Sequence, residues 1–275
     1  MEIRLQRDQI QAQEEKTESL LLNILPASVA SELRSTGSVQ PMQFDDVTVC
    51  FTDFAGFTVS SETIEARDVV AQLDRYFTEF DGIIARYGLE KLKTIGDSYM
   101  FVSGLPQATN SHAVDAVLAA LEILEKAKEI AARPGGLAWR LRIGLHSGPV
   151  VAGVVGVRKF AFDIWGDTVN LASRMESSGA PDRVNLSART YALVRDFIEC
   201  EPRGAVRTKD GRDLEMYFAQ GMRLQNGHDA SSEEFLPAYE RQYAMAFDGP
   251  PRALPQNGMR DSLLPAAYRR MVHPS

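Results

Sequence analysis

Two aspartates in the sequence stand where a metal ion could bind. Asp53 closes the run VTVCFTD, and Asp97 lies in the turn of LKTIGDSYMF. Both runs predict β-strands, and two neighbouring strands of one sheet would bring the carboxylates to the same edge. Hard divalent cations such as Mg²⁺ and Mn²⁺ prefer such oxygens and lean on substrate phosphates for the rest. Taken singly, each aspartate is better explained as a residue that ends a strand, because Asp is common in turns.

A second pair of polar residues lies four positions apart in FDIWGDTVNLASRMES, residues 162–177. Asn170 and Arg174 share one face of a predicted helix, since positions i and i+4 are neighbours on a helix. Asp163 is held upstream, before the Trp-Gly-Asp turn. An amide and a guanidinium presented together suit a polar ligand, although Arg174 could equally pair with Glu176 and have no further role.

Four more residues are candidates for ligand contacts, and each also fits an ordinary structural role. Lys93 lies four residues before Asp97 and could be a solvent-facing strand residue. Arg158 lies beside a glycine-rich loop, where a cation suits phosphate but is also common at a surface. Lys209 precedes an Asp-Gly turn and fits an ordinary hairpin. His146 has no second His at metal-ligand spacing, so a structural histidine is the better explanation.

The composition is that of a soluble globular protein. Of the 275 residues, 44% are hydrophobic and 24% are charged, and the net charge of −7 lacks the basic excess of a general nucleic-acid binder. No apolar run approaches the ~18–20 residues that cross a bilayer. Two cysteines, Cys50 and Cys200, cannot form a disulfide framework and fit a reducing compartment. The composition therefore favours a cytoplasmic domain with no nucleic-acid partner.

The order of predicted elements from residue 46 indicates an α+β fold. Alternating apolar residues predict strands, and apolar residues at steps of three and four predict helices. Their order is β-α-β-β-α-β, followed by additional α and β elements. This order fits a ferredoxin-like core, an antiparallel sheet with helices on one face. Within it, WRLRIGLHSG and PVVAGVVG are interpreted as two paired strands.

Three segments are expected along the chain. Residues 1–41 predict a helical segment, interrupted near Pro26, that fits either a coiled coil or a solvated helix. Residues 42–222 contain the periodic elements and all the candidate site residues. Residues 223–275 are rich in Pro and Gly towards their end and predict a loosely packed or partly disordered tail.

Four motifs together resemble the catalytic domain of the class III nucleotide cyclases, the family of adenylate and guanylate cyclases. They are VCFTDFAGFT, LKTIGDSYMFVSGLP, RIGLHSGPVVAGVVG and FDIWGDTVNLASRMES, and the match covers about residues 42–222. The motifs stand in the expected order, and the last one alone is highly specific. The resemblance names a reaction that the residue spacing alone leaves open.

The resemblance implies roles for the two residue pairs. Asp53 and Asp97 match the aspartates that bind two Mg²⁺ or Mn²⁺ ions per site. Asn170 matches the residue that orients the ribose, and Arg174 matches the one that stabilises the α-phosphate in the transition state. The planar guanidinium of Arg suits this role because it donates to phosphate oxygens in two directions and stays charged.

The resemblance also assigns base and phosphate contacts. Adenylate cyclases of this family have Lys and Asp where Lys93 and Asp163 stand, whereas guanylate cyclases have Glu and Cys or another small residue. A lysine donates to N1 of adenine and a carboxylate accepts from its N6 amine, so ATP is the expected substrate. Arg158 and Lys209 fall near positions that hold the β- and γ-phosphates. At Lys209 the run TKDGR departs from the more usual Lys-Gly-Lys-Gly.

The implied reaction converts ATP to 3′,5′-cyclic AMP and pyrophosphate by in-line attack of the ribose 3′-oxygen. In this family the metal aspartates come from one subunit and the remaining site residues from the other. The chain contains both sets, so a homodimer is expected. The N-terminal helix resembles segments that pass signals to cyclase domains, which makes an upstream sensor domain or protein a candidate partner.

Three alternatives stay open on the sequence. The first is a guanylate cyclase or a cyclase of relaxed specificity. The second is a catalytically silent dimeric regulatory module, whose usual sign would be loss of one of the four matched residues. The third, a dinucleotide cyclase of related fold, lacks support because no Gly-Gly-Asp/Glu-Glu-Phe-like turn is present.

Overall fold

The computed structural model describes most of the chain and divides it into two compact units. One unit comprises residues 1–43 and 151–165, and the other comprises residues 44–150 and 166–275. The described residues are 11, 13, 16, 17, 21, 22, 24–133, 139–156, 159–207, 211–225, 232–255, 263 and 264.

Seven helices and eight strands are assigned within the described residues. The helices are α1 Ala27–Thr36, α2 Phe57–Ser61, α3 Ala66–Arg86, α4 His112–Ala131, α5 Asp167–Ser177, α6 Ala188–Val194 and α7 Ser232–Phe247. The strands are β1 Met42–Ala55, β2 Glu90–Ile95, β3 Ser98–Ser103, β4 Arg140–Val155, β5 Ala161–Trp165, β6 Arg183–Ser187, β7 Ile198–Arg207 and β8 Asp213–Met222. Apart from the five-residue helix α2 between β1 and α3, the order β1-α3-β2-β3-α4-β4 confirms the predicted β-α-β-β-α-β order.

The strands form one sheet in the order β2-β3-β1-β4-β6-β8-β7, with β5 paired to β4. Strand β3 is antiparallel to both β1 and β2, and β4 is parallel to β6. The first four strands in this order have the arrangement of a ferredoxin-like core, and the additional strands extend the sheet beyond β4. The predicted α+β fold class is therefore confirmed.

Helix α4 lies at the centre of the core. It contacts helices α3 and α6 and strands β3, β6 and β8. Because it is enclosed by these neighbours, it is apolar around most of its circumference, as expected for a buried helix. Helix α3 is amphipathic instead, and it buries Tyr76, Phe80, Ile83 and Ile84. Both helices contact the sheet, α3 at β2 and α4 at β3, β6 and β8.

Strand β4 corrects one element of the sequence interpretation. WRLRIGLHSG and PVVAGVVG do not pair with each other, because Arg140–Val155 runs as one strand through Pro149. The fixed φ of proline is compatible with an extended chain. The chain reverses later, at Gly156 with a φ of +101°, and the strand that pairs with the end of β4 is β5.

The C-terminal segment corrects a second expectation. The prediction of a loosely packed tail is wrong for α7, Ser232–Phe247. Phe235, Tyr239 and Tyr243 are at most 2% exposed, and all three belong to the hydrophobic core. These aromatic residues recur every four positions and form one helical stripe, which the Pro- and Gly-rich sequence on the C-terminal side obscures. Residues 226–231, 256–262 and 265–275 lie outside the described part of the chain.

Helix α1 confirms the predicted helix that precedes the sheet. It begins after Pro26 and ends at Gly37, whose φ of +74° is the left-handed conformation that glycine tolerates best. Most of the segment before residue 24 lies outside the described residues, so the coiled coil stays a prediction. Among the described helices, none combines the length and the apolar character that spanning a membrane requires.

Candidate functional site

The strand register brings Asp53 and Asp97 together. Strands β1 and β3 are adjacent, and Thr52 faces Tyr99 across them. The β2–β3 hairpin turns on Gly96 and Asp97, as the sequence predicts, and Gly96 has a φ of +63°. The backbone N–H of Phe54 donates to Oδ2 of Asp97 at 3.3 Å, which ties the hairpin turn to the end of β1.

The carboxylate of Asp97 is costly to ionise where it stands. Burial, together with the negative charge of Asp53, raises the pKa of Asp97 to about 6. Such a shift means that neither solvent nor the neighbouring groups fully stabilise the ionised carboxylate. A cation bound between the carboxylates would supply that stabilisation.

A guanidinium and a third acid complete the cluster. Arg142, on β4, donates from Nη2 to Oδ2 of Asp53 at 2.5 Å, and its Nε lies 3.0 Å from Oε1 of Glu176. Burial and the negative charge of Asp53 raise the pKa of Glu176 to about 7, although Arg142 opposes the shift. Arg142 therefore holds two acids side by side.

Sequence reasoning missed both Arg142 and Glu176 as site residues. One signal for Arg142 was available, since a charged residue stands between the buried residues Leu141 and Ile143 of a core strand. Glu176 was considered only as a partner for Arg174. Its pairing with Arg142 spans 34 positions of the sequence, which local patterns do not reveal.

Asp53 and Asp97 could supply some, but not all, of the ligands of a hard divalent cation. Asp53 and Asp97 supply carboxylate oxygens at one end of the sheet, which is the donor type that Mg²⁺ and Mn²⁺ prefer. In the described residues there is no group of three or more His, Cys, Asp or Glu side chains arranged to hold a metal. Two carboxylates suit an ion that takes its remaining ligands from water and substrate phosphates.

A glycine fixes the position of helix α5 on the sheet. A Cβ atom at Gly144 of β4 would lie 1.9 Å from the backbone N of Glu176 and 2.3 Å from the carbonyl carbon of Met175. No side chain fits there, so the last turn of α5 rests directly on the strand. This close approach places Glu176 beside Arg142.

The start of α5 is anchored as well. The Oγ1 hydroxyl of Thr168 donates to the carbonyl oxygen of Pro149 at 2.7 Å, and Thr168 is buried. A side chain at Gly148 would collide with this hydroxyl, because its Cβ would lie 2.5 Å from Oγ1. Strand β4 therefore positions both ends of the helix that carries Asn170 and Arg174.

Helix α5 presents two different faces. Its buried face includes Glu176, which interacts electrostatically with Asp53 and Asp97 of the same chain. Arg174 precedes Glu176 by two residues, which is about 200° around a helix of 3.6 residues per turn. Asn170 is exposed and Arg174 is half-buried. Asn170 and Arg174 thus occupy positions around α5 different from that of Glu176, which faces the acids.

The two candidate base-reading residues lie on different strands and in different units. Lys93 is on β2 opposite Met100, next to an irregularity in the pairing with β3. Asp163 is on β5 opposite Gly153, and its Oδ1 accepts a hydrogen bond from the backbone N–H of Ile164 at 2.9 Å. Both side chains are half-buried. The candidate phosphate contacts Arg158 and Lys209 lie outside the described residues.

The smaller unit carries an exposed apolar surface on the β4–β5 hairpin. Its large exposed residues are Val151, Val155, Phe160 and Trp165, each between 38% and 50% exposed. Several apolar side chains on one hairpin are typical of a surface that contacts another protein. We call this set the hairpin patch.

Comparison with known proteins identifies relatives over most of the chain. The family model described as "Adenylate and Guanylate cyclase catalytic domain" matches residues 39–221. Human retinal guanylyl cyclase 2 is 42% identical over 221 residues, covering 78% of this chain and 20% of that protein. An adenylate cyclase of Mycobacterium tuberculosis is 36% identical over 216 residues, covering 78% and 48%. The chain thus spans between a fifth and about half the length of these relatives.

A solved structure shares the fold. The catalytic core of a rhodopsin-guanylyl cyclase with converted specificity, in complex with ATPalphaS, is 37% identical to this chain. The match covers 66% of this chain and 97% of that one, with a TM-score of 0.61.

Proposed function

Because the chain belongs to the adenylate and guanylate cyclase catalytic-domain family, and so contains a nucleotide cyclase domain, we propose that its substrate is ATP. The products are then 3′,5′-cyclic AMP and pyrophosphate. The observation that carries this choice is the pair Lys93 and Asp163.

The choice of base follows from hydrogen-bond polarity. Lys93 is a donor and matches the N1 acceptor of adenine, whereas Asp163 is an acceptor and matches its N6 amine. Guanine reverses this pattern, with an O6 acceptor and an N1–H donor. Each mismatched buried group would cost roughly 1–3 kcal/mol. A solved relative with converted specificity was captured with ATPalphaS, so this fold accommodates an adenine nucleotide.

The proposed chemistry divides between the two residue pairs. Asp53 and Asp97 would hold two Mg²⁺ or Mn²⁺ ions, which when bound lower the pKa of the 3′-hydroxyl and neutralise polyphosphate charge. Asn170 orients the ribose so that its 3′-oxygen lies in line with the α-phosphorus. Arg174 stabilises the charge on the α-phosphate as the new O3′–P bond forms and the bond to pyrophosphate breaks.

Arg142 receives a positioning role in this proposal. Its ion pairs with Asp53 and Glu176 hold two acids side by side in a partly buried cluster. Removing the guanidinium would leave the two acids to repel each other without a cation between them. The arrangement of Asp53 therefore depends on Arg142.

A homodimer with composite sites is the proposed active form. Within a single chain, Asp53 and Asp97 face one side of α5, while Asn170 and Arg174 occupy other positions around the same helix. In that arrangement the two sets cannot contact one small ligand together. Two copies related by a twofold axis would bring the Asp53 set of one to the Arg174 set of the other. The hairpin patch supplies apolar surface for such a contact.

One competing function has a specific observation in its favour. Human retinal guanylyl cyclase 2 is a relative at 42% identity, so GTP is the alternative substrate. A silent regulatory module is less favoured, because Asp53, Asp97, Asn170 and Arg174 are all present.

Initial rates with ATP and with GTP test the proposal. The purified chain is assayed for both cyclic products at equal nucleotide concentration, with Mg²⁺ and with Mn²⁺, and Asp53→Ala serves as the inactive reference. Formation of cyclic AMP in preference to cyclic GMP is expected. A preference for GTP would overturn the assignment of Lys93 and Asp163, and wild-type activity in Asp53→Ala would overturn the metal assignment.

A further inference from the structure

An unbroken series of hydrogen bonds crosses the interior of the larger unit, from the start of α4 to the corner between β6 and α6. It joins two histidine rings through four hydroxyl groups, and we call it the histidine–hydroxyl chain. In order, the links are His112 Nδ1–Thr48 Oγ1 at 2.8 Å, Thr48 Oγ1–Ser147 Oγ at 2.8 Å, Ser147 Oγ–Thr190 Oγ1 at 3.0 Å, Thr190 Oγ1–Ser187 Oγ at 3.1 Å and Ser187 Oγ–His146 Nδ1 at 2.7 Å.

The histidine–hydroxyl chain is closed to bulk water along most of its length. Thr48, Ser147 and Thr190 are 0% exposed, and His112 is 4% exposed. A hydroxyl that loses its partner at such a position leaves an unsatisfied polar group in the core, which is costly. The histidine–hydroxyl chain is therefore constrained to keep all five links formed at once.

The number of protons available for these links is fixed by chemistry. Each hydroxyl carries one hydrogen, so the four hydroxyls supply four donors for five links. The fifth donor must be an N–H on Nδ1 of one ring. The additional bond from the backbone N–H of Thr190 to Ser187 Oγ, at 3.2 Å, uses only an acceptor and leaves the count unchanged.

We propose that the histidine–hydroxyl chain is a binding site for one shared proton, in which only one of the two rings carries hydrogen on Nδ1 at a time. When both rings are neutral, they hold opposite tautomers. One imidazolium and one neutral ring also satisfy every link. Two imidazolium rings bring six donors to five links, so uptake of a second proton breaks one link and loosens the joint between β1, β4, α4 and α6.

The charged groups around the two rings favour the neutral state. Burial lowers the pKa of His112, Asp46 of β1 opposes this effect, and Arg189 of α6 adds to it. Burial lowers the pKa of His146 to about 4, Arg189 adds to this effect, and Asp167 of α5 opposes it. Arg189, which pairs with Asp46 at 2.8 Å, thus acts against a proton at both ends.

The tautomers are measured directly by NMR on the full-length ¹⁵N-labelled protein. Two-bond ¹H–¹⁵N correlations distinguish a protonated from a bare Nδ1, and the sequence contains only four histidines. Near pH 7.5 we expect Nδ1–H on one of His112 and His146 and Nε2–H on the other. The same tautomer in both rings would overturn the proposal.

Cutting the histidine–hydroxyl chain gives a second prediction. Thr190→Val divides the hydrogen-bond series into two parts. The part that contains His112 has two hydroxyls and two links, and the part that contains His146 has one hydroxyl and one link. Neither ring then needs to donate, so both are free to become Nε2–H tautomers and the opposition is lost. Ser147→Ala cuts the series elsewhere with the same expected result, so the test survives if one variant does not fold.

Thr52→Val is the matched control. Thr52 is 0% exposed, as Thr48 is, and lies on the same strand, but its Oγ1 has no hydrogen-bond partner within the described part of the protein. We expect opposite tautomers to persist in Thr52→Val and to be lost in Thr48→Val. If the variants that cut the histidine–hydroxyl chain keep opposite tautomers, the tautomer of each ring is determined independently of the other. That result would refute the shared proton.

Discussion

Replacing Gly144 by alanine tests whether β4 sets the position of helix α5. The added Cβ would lie 1.9 Å from the backbone N of Glu176, whereas ordinary contacts begin near 3.4 Å. The last turn of α5 must therefore move by about 1.5 Å, and Arg174 and Glu176 move with it. A displacement of about 1 Å in a catalytic group can cost on the order of 100-fold in rate. Overpacking adds about 1–3 kcal/mol of destabilisation.

The assay compares the cyclase rate at saturating ATP with the free energy of unfolding in urea. We expect Gly144→Ala to fold and to lose about 100-fold in kcat, a larger loss than its reduced stability explains. Gly82→Ala is the control, because Gly82 lies within α3, a Cβ added there would have no neighbour within 4 Å, and the variant should gain up to about 1 kcal/mol. A wild-type rate in Gly144→Ala would refute the argument that this contact positions the site.

Three further predictions concern stability. Arg142→Gln should lower the free energy of unfolding in urea by about 1–2 kcal/mol, because both side chains of the Arg142–Asp53 ion pair are only about a quarter exposed. Arg140→Gln on the same strand is the control, and it should cost under about 0.5 kcal/mol, because the Arg140 side chain is more exposed. Because the pKa of His146 is lowered to about 4 in the folded protein, the unfolded chain binds a proton on this ring more readily. The stability that the ring contributes is therefore present above about pH 6.5 and is lost as pH falls towards about 4. Across this range, the difference in free energy of unfolding between wild type and His146→Gln should change by up to about 3 kcal/mol. Tyr243→Phe should destabilise the protein by about 1–3 kcal/mol, because it removes one of the two side-chain hydrogen bonds to the buried carboxylate of Asp115 on α4. Tyr239→Phe should be neutral in the same urea unfolding, because the Tyr239 hydroxyl has no hydrogen-bond partner among the described residues. Equal losses in the two variants would contradict the docking of α7 by the Tyr243 bond.

Local patterns were sufficient for much of the fold. The β2–β3 hairpin depends on Gly96 and Asp97 alone, and the turn before α5 depends on a glycine at position 166. Both signals act within a few residues, and both features were predicted correctly. Strand β4 was misjudged because Gly148 and Pro149 resemble a turn in the sequence, while the contact with Thr168 that needs Gly148 is tertiary.

The parts of the site that the sequence did not reveal depend on contacts between distant segments. Arg142 becomes a site residue only because Gly144 lets α5 approach, which brings Glu176 within 3.0 Å. The aromatic stripe of α7 had a readable period of four, but the Pro- and Gly-rich sequence that follows it favoured an irregular tail. A site shared between two chains also leaves no local pattern beyond the presence of both residue sets.

Complementation between two inactive variants tests the central proposal most directly. Asp53→Ala and Arg174→Ala should each be inactive with ATP, because each removes one half of every site. If a twofold dimer shares its sites, random mixing makes half of the dimers hybrid, and each hybrid keeps one intact site. The equimolar mixture should then regain about a quarter of the wild-type rate of cyclic AMP formation. A mixture that forms hybrid dimers and stays inactive would contradict the composite site.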